Sequence, residues 1–451
     1  RAKLIVLVGS NTAWCHPVIY QRIARAKKQN PDLMIVVIDP RKTATTQLAD
    51  LHLAIGAGTD QVLFTGLIKY IRDQGEVDQA FVSDHTEGLE SLLKQAFPDI
   101  EEVAERCQLA IEDIENFYRL FARTDRVMTM FSQGINQWSY GTDRVNAIIN
   151  VHLLTGRIGR VGMGPFSITG QPNAMGGREV GGLANQLAAH MEIHNEQHRQ
   201  WVSEFWQSPG IAQQEGLKAV DLFEAIEQGK VKAIWIMATN PAVSMPDTSR
   251  VRKALQSCEL VIVSDCMQST DTTQYADILL PASTWGERDG TVTNSERCIS
   301  RQRPFMNAPG DAMPDWWIMA EVAKKMGFVD AFSYANAAEI FSEHARLSGY
   351  KNQGQRDFNI SGLSDITLEE YNHFQPTPWP ITPDCKTGTK RMFADQYFYT
   401  ANKKARFITL SDDKPAGDLS DKYPLIVNTG RIRDHWHTMT RTSKTARLSL
   451  H

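Results

Sequence analysis

An arginine and a glutamate stand side by side inside the most glycine-rich stretch of the chain, Gly170-Gln171-Pro172-Asn173-Ala174-Met175-Gly176-Gly177-Arg178-Glu179-Val180-Gly181-Gly182. Glycine gives up more backbone freedom on ordering than any other residue, so such a run is expected to be a loop and not the interior of a helix or strand. Glycines paired at two places let a backbone pass close to something flat or anionic. Loops on rigid scaffolds carry much of binding and catalysis, whereas a purely connecting loop would need its glycines only for turns.

A second set of polar residues occurs twice. Thr45-Thr46-Gln47-Leu48-Ala49-Asp50 and Thr272-Thr273-Gln274-Tyr275-Ala276-Asp277 differ at one position. Each follows an acid that ends a predicted strand, Asp39 or Asp265, and each such strand follows another that ends in an Asn-bearing turn, Asn11 or Asn240. Three landmarks in one order at nearly one spacing mean two copies of a supersecondary unit. Acids at strand ends accept hydrogen bonds from ribose or guanine donors. Neither copy carries G-x-G-x-x-G after its first strand, which supports a nucleotide end but disfavours NAD.

The elements that position these residues follow from pattern. Residues 3–9 are a buried strand, Pro17 opens a helix to about Gln29, and Leu33 to Ile38 is a second strand. A short strand, Leu51 to Ile55, precedes a helix capped by Gly58-Thr59-Asp60. Residues 100–122 read as one amphipathic helix, and Val127 to Phe131 as a strand leading into Ser132-Gln133-Gly134-Ile135-Asn136-Gln137. The second copy places strands at 233–239, 260–263 and 278–280. Strands alternating with helices predict parallel sheets with ligands beyond the carboxyl ends of the strands. The fold class is therefore α/β, with two doubly wound parallel-sheet domains related by the internal repeat. The polar stretch 286–297 reads as a solvated loop or a phosphate clamp through Arg288. Residues 376–386, with four prolines, read as a linker, and Pro424 to Val427 as a strand.

Composition narrows the class. The chain has 451 residues, 42% hydrophobic and 22% charged, and a net charge of −4. It has no apolar run long enough to span a bilayer and no Lys/Arg block, so neither a membrane nor a nucleic acid is an expected partner. Six scattered cysteines without a C-x-x-C pair argue for reduced thiols and against an iron–sulfur cluster built from this chain alone. His190, His194 and His198 are spaced as on one helical face, which is expected to be solvated rather than a metal site because no fourth ligand is suitably spaced. His435-x-His437, crowded by Arg and Thr donors, reads as a wall for an anionic or heteroaromatic ligand. The chain opens in a strand without Met and closes as a strand pattern begins, so it is expected to be the central piece of a longer protein.

Taken together and in order, these stretches resemble the molybdopterin-dependent oxidoreductases of the dimethyl-sulfoxide-reductase type, and among them the bacterial assimilatory nitrate reductase catalytic subunits. The anchors include VGSNTAWCHP (8–17), IDPRKT (38–43), SQGINQ (132–137), HLLTGRIGRVGMGPFSITGQPNAMGGREVGG (152–182), ATNPAVSMPD (238–247), GERDGTVTNSER (286–297) and NTGRIRDHWHTMTR (428–441). The resemblance implies a molybdenum held by two molybdopterin guanine dinucleotides, one on each rim. Ser10, Asn11, Asp39, Arg41, Thr59, Asp60, Gln133 and Gln137 would serve one of them. Asn240, Ser264, Asp265, Arg288 and Asp315 would serve the other, with Thr429, Gly430, Arg431 and His437 on the pterin side. The domains implied are 1–165, a first dinucleotide-type α/β domain; 166–385, a second α/β domain with the Gly-rich loop; and 386–451, a linker and the start of a C-terminal β-barrel-like domain that binds the dinucleotide.

The activity the resemblance implies is cytoplasmic reduction of nitrate to nitrite by oxygen-atom transfer in nitrate assimilation. Electrons would come from a donor subunit or protein through a 4Fe-4S cluster. Arg178 is the candidate that binds nitrate, since a planar, always-charged guanidinium suits a planar anion, and Glu179 would orient it. The alternative is that the two residues only tie the loop by an ion pair. The upstream cysteine cluster and the molybdenum-ligand Cys of the family are unmatched, so this piece is expected to be inactive and to hold no cofactor by itself. Two other functions fit the same scaffold: formate oxidation, and a metal-free, non-catalytic subunit.

Overall fold

The computed structural model describes residues 1–411, 420–425, 427, 432–435 and 437–448. They belong to two compact units, Arg1–Gln171 with Arg391–Arg433, and Pro172–Lys390 with Asp434–His451.

The first unit is built on a five-stranded, all-parallel sheet of β1 (Leu4–Val8), β2 (Met34–Ile38), β3 (Leu51–Leu53), β4 (Val127–Phe131) and β5 (Gly164–Ser167). Their order across the sheet is β3-β2-β1-β4-β5. Continuous apolar strands such as LIVLV and MIVVI belong in a sheet covered on both faces. Alternate side chains go to opposite faces. Leu4, Val6 and Val8 join Val36 and Ile38 in a core with the helices Asp60–Asp73 and Gly141–Leu154, while Ile5 and Leu7 join Ile35, Val37, Ile23 and Ile168. The order reverses direction between β1 and β4. In open α/β sheets that reversal opens a crevice at the carboxyl ends of the strands. Here the two chain segments touch at Gly9 and Gly134: a Cβ on Gly9 would lie 2.8 Å from the Gly134 carbonyl carbon.

The second unit carries a three-stranded parallel sheet of β6 (Ala233–Met237), β7 (Leu260–Asp265) and β8 (Ile278–Pro281), in the order β6-β7-β8. It repeats the β1-β2-β3 half of the first sheet. Beside it lies an antiparallel hairpin, β9 (Gly290–Thr293) and β10 (Cys298–Gln302), with the short β11 (Thr377–Pro378) on its edge.

Several sequence expectations are corrected here. Residues 100–122 form two helices, Ile100–Cys107 and Ile111–Arg123, because Gln108 turns left-handed at φ +58 and Ala110 is extended. The Gly-rich stretch is not all loop: Ala174–Glu179 is helical. The polar run 286–297 is no loop but the start of a hairpin. Residues 376–386 are packed rather than a linker, with Trp379 and Ile381 2% and 0% exposed. The described residues of 424–427 are not in a strand. No helix among the described residues is long and apolar enough to cross a membrane.

Candidate functional site

The two rims match atom for atom. Asp50 closes the first TTQxAD motif by accepting the Ile35 N–H at 2.7 Å and donating its own N–H to the Ile35 carbonyl at 2.8 Å. Asp277 does the same to Val261, at 2.7 and 2.9 Å. Thr45 donates its hydroxyl to Asn11 Oδ1 at 3.2 Å and accepts the Ala13 N–H. Thr272 donates to Asn240 Oδ1 at 2.6 Å and accepts the Ala242 N–H. The strand-end acids each accept the N–H two residues on, Asp39 from Arg41 at 2.8 Å and Asp265 from Met267 at 2.9 Å. Even the strand exits agree: Gly9 and Ala238 both take φ +54, and each donates its N–H across to the next strand, to Ile38 or Ser264, at 3.0 Å.

On the first rim Ser10 is 3% exposed and shares a hydrogen bond with Thr12 Oγ1. Burial pushes the Asp39 carboxyl up, against the hydrogen bond and charge of Arg41 and the charge of His52. The Arg41 side chain is exposed. Thr59 donates to the Gly56 carbonyl, and Asp60 lies 3.6 Å from Arg144, whose guanidinium covers the Trp138 ring at 4.5 Å. Asp60 is therefore held by a cation of its own fold. Gln133 is half-buried and Gln137 exposed.

On the second rim Asn240, Ser264 and Asp265 are all less than a tenth exposed. Ser264 accepts the Trp235 indole N–H at 2.8 Å, and Asn240 Nδ2 donates to Thr440. Arg288 pairs with Asp315 at 3.0 Å and donates twice to the Ser283 carbonyl. His437 lies exposed in a turn, and His435 is buried with Nδ1 2.9 Å from Thr442 Oγ1. Thr429, Gly430 and Arg431 lie outside the described residues.

Glu179 makes no ion pair with Arg178; what it does to the arginine it does through the backbone of their shared helix. Its buried carboxylate accepts from Thr293 Oγ1 at 2.8 Å and from the Trp379 indole at 2.6 Å. Burial pushes this carboxyl up, against those two hydrogen bonds and the charge of His190, while Asp357 pushes it further up. Gly181 follows at φ +75, where a Cβ would sit 2.6 Å from the Ala188 nitrogen. The result is a short helix pinned by the buried Glu179, with Arg178 exposed and in no ion pair among the described residues. The three histidines share no helical face, because the helix begins only at Glu196. His190 bonds Asp357, His194 bonds Glu215, and His198 accepts the Glu192 N–H. No group of metal-ligating side chains occurs among the described residues. Thr293, Trp379, Asp357 and His190, which build the floor of the Arg178 turn, carry no local sequence signal of that role.

The second rim also holds polar atoms with nothing to bond. Ser283 Oγ, Asp315 Oδ1 and Trp316 Nε1 are buried without a partner among the described residues. Buried polar groups are normally satisfied, and an orphan asks for a missing ligand or water. This donor and acceptor set fits a group rich in both, as a nucleotide-bearing pterin is.

A family model described as molybdopterin oxidoreductase matches residues 1–325. The chain is 49% identical over 451 residues to a nitrate reductase of Klebsiella oxytoca, covering 100% of this chain and 51% of that protein. It is 34% identical to the assimilatory nitrate reductase catalytic subunit of Bacillus subtilis, covering 100% of this chain and 62% of that one. The chain thus spans about half the length of the curated relatives it matches. Among solved structures, acetylene hydratase from Pelobacter acetylenicus superimposes with a TM-score of 0.64 at 18% identity, covering 90% of this chain and 55% of that one, which is a likeness of fold. With its doubled α/β rims and a family model matched over most of its length, this chain belongs to the molybdopterin oxidoreductases.

Proposed function

We propose that the chain is part of a molybdenum enzyme that reduces nitrate to nitrite in nitrate assimilation. The observation that carries the reading is the pair of matching rims, with the Arg178 turn held rigidly by Glu179 in the second unit. The nitrate reductases among its relatives support it. Ser10, Asn11, Asp39, Arg41, Thr59, Asp60, Gln133 and Gln137 would hold one pterin guanine dinucleotide. Asn240, Ser264, Asp265, Arg288 and Asp315 would hold the second, with His437 and the undescribed Thr429, Gly430 and Arg431 toward the pterin. Ser283 joins the second set through its orphaned hydroxyl. When bound, the group supplies two-electron oxygen-atom exchange, with nitrate, two protons and two electrons giving nitrite and water. A 4Fe-4S cluster fed by a donor subunit or protein would bring the electrons, in the cytoplasm.

The chain's own part is to bind and orient. Arg178 offers a planar fork to the planar anion, while the pinned helix beneath fixes where the fork points. Arg178→Lys in the full-length enzyme would lower kcat/KM for nitrate by about ten- to a hundredfold, the worth of a charge-assisted contact of about 1.5–3 kcal/mol. Molybdenum content would be unchanged. Unchanged nitrate kinetics would remove Arg178 from the site, and formate oxidation without nitrate reduction by the wild-type enzyme would replace the reading altogether.

A further inference from the structure

The helix that carries Arg178 is tied to one small sheet by three hydrogen bonds. Glu179, its last residue, accepts from Thr293 Oγ1 at 2.8 Å and from the Trp379 indole at 2.6 Å. Asn173 stands at the helix start, where an asparagine side chain usually accepts from its own helix. It makes no such bond here; its Oδ1 accepts the Thr293 N–H at 2.8 Å instead. Gln186 Nε2 and the Ala189 N–H tie the last turn to the loop that follows, through the Arg178 and Glu179 carbonyls. Thr293 reaches both ends, the start through its backbone and the finish through its hydroxyl. A glycine makes room for the first of these grips: a Cβ on Gly176 would lie 2.2 Å from Asn173 Oδ1.

The sheet is itself fixed. Thr293 ends β9, which lies at the edge of β9-β10-β11 and pairs with β10 from Gly290↔Gln302 to Thr293↔Ile299. An edge strand leaves N–H groups unpaired within the sheet, and that of Thr293 goes to Asn173. Trp379 directly follows β11 and donates its own N–H to the Arg297 carbonyl, in the turn between β9 and β10, at 3.0 Å. Before the other end of β9, Asp289 pairs at 2.6 Å with Arg301, whose side chain is 2% exposed. The Arg301 guanidinium also donates to the Tyr371 carbonyl at 2.8 Å and lies over that ring at 3.8 Å. Arg288, next to Asp289, pairs with Asp315 of the second rim. One strand thus leads from the rim arginine to the threonine that grips the Arg178 helix.

We propose that Thr293 is a positioning residue of the anion site. By holding both ends of the helix it fixes where the Arg178 guanidinium meets a planar oxyanion, and β9 sets that place relative to Arg288. This rests on Arg178 being the residue that binds the substrate anion. Thr293 is 3% exposed, so it acts through the helix and not by touching the anion. With the helix fixed, binding has only the arginine side chain to order. With one grip lost, the backbone beneath it must be ordered as well, and affinity falls by that amount.

The test is a double-mutant cycle in the full-length enzyme, read by nitrate kinetics and by calorimetric nitrate affinity. Thr293→Val keeps the shape and the backbone N–H and loses the hydroxyl bond. It should raise KM for nitrate about three- to tenfold with kcat within about twofold, since the placement of a binding group is loosened and not the group itself. Thr293→Ser keeps both grips and should restore the wild-type KM. In the Arg178→Lys background Thr293→Val should add less than about twofold, because residues that act as one unit are not additive. Calorimetric affinity should follow KM, and molybdenum content should stay constant. Gly176→Ala is the second variant. Alanine favours a helix over glycine, so the fold is kept, but its Cβ pushes Asn173 off Thr293 and KM should rise in the same way. If Thr293→Val weakens nitrate equally in both backgrounds, or if neither it nor Gly176→Ala moves nitrate affinity, the positioning role is refuted while the anion site stands. If Arg178→Lys leaves nitrate affinity unchanged, the anion site falls and the positioning role with it. Should Thr293→Val not fold, Gly176→Ala and its own cycle with Arg178→Lys decide.

Discussion

Glu179→Ala separates a carboxylate that organises the Arg178 turn from one that merely sits beneath it. The wild-type carboxylate is 4% exposed and accepts from Thr293 and Trp379, which are 3% and 2% exposed. Truncation leaves the indole N–H and the threonine hydroxyl without acceptors in a dry site. Each orphan costs about 1–3 kcal/mol, and relief from burying a carboxylate offsets part of that, so the net loss is about 2–4 kcal/mol. Glu179→Gln is the control. Its amide oxygen still accepts from the indole and its NH2 still reaches the threonine oxygen, so it should stay within about 1 kcal/mol of wild type. The two also differ in pH response. A carboxyl raised above its ordinary 4.5 by burial, despite those two hydrogen bonds, binds a proton more readily folded than unfolded. Its contribution is complete in acid and is lost as pH rises through the folded value. The difference between Glu179→Gln and wild type should therefore shift in favour of the glutamine as pH rises from 4 to 8. Urea unfolding of the 451-residue chain at several pH values, followed by tryptophan fluorescence, measures all of this. An alanine variant within 1 kcal/mol of wild type would refute the role assigned to the carboxylate.

Two further outcomes can be checked by the same unfolding measurements. Burial pushes His344 from 6.5 down to about 4, with the charge of His190 adding to the shift. The unfolded chain then binds the proton first, so stability should fall by up to about 3 kcal/mol as pH drops from 6.5 to 4, and His344→Phe should remove most of that slope. Asn11→Ala and Asn240→Ala each strip a threonine hydroxyl of its acceptor, at about 1 kcal/mol apiece. The second should cost more, because Asn240 also donates to Thr440; an Asn11 cost well above the Asn240 cost would break the equivalence of the rims.

The rims were legible in the sequence because the same bonds recur at nearly the same offsets, from Thr45 and Thr272 back to Asn11 and Asn240 over 34 and 32 residues, and from Asp50 and Asp277 back to Ile35 and Val261 over 15 and 16. Thr45 and Asp50, like Thr272 and Asp277, each need one residue type at one offset, and six letters survive as the mark of it. The parallel sheet was legible for a similar reason: LIVLV and MIVVI have no polar face to offer water. The Arg178 turn was not. Glu179 finds Thr293 and Trp379 114 and 200 residues away, so nothing near it in the chain announces them. The same anchors outweigh the helix penalty of Gly176 and Gly177, about 1 kcal/mol each, and make a helix where a loop was expected. The histidine spacing misled because Asn195 caps the helix, accepting the Gln197 and His198 N–H groups, and leaves His190 and His194 outside it. The hairpin at 290–302 was hidden because its turn is held by Asn294 Oδ1, which accepts from Glu296 and Cys298, in place of an Asn-Gly pair.

Gly9 and Ala238 share a torsion although only one of them is glycine. In the first copy the Gly134 backbone crowds the site and excludes a Cβ. In the second copy an alanine carries the same φ, and the N–H it aims at the neighbouring strand is what both copies kept. After a duplication, then, the inherited unit here is the path of the backbone, and the side chain at this point was free to drift once the crowding differed. The likeness of the two halves is therefore better traced through matched N–H and carbonyl partners than through matched residues.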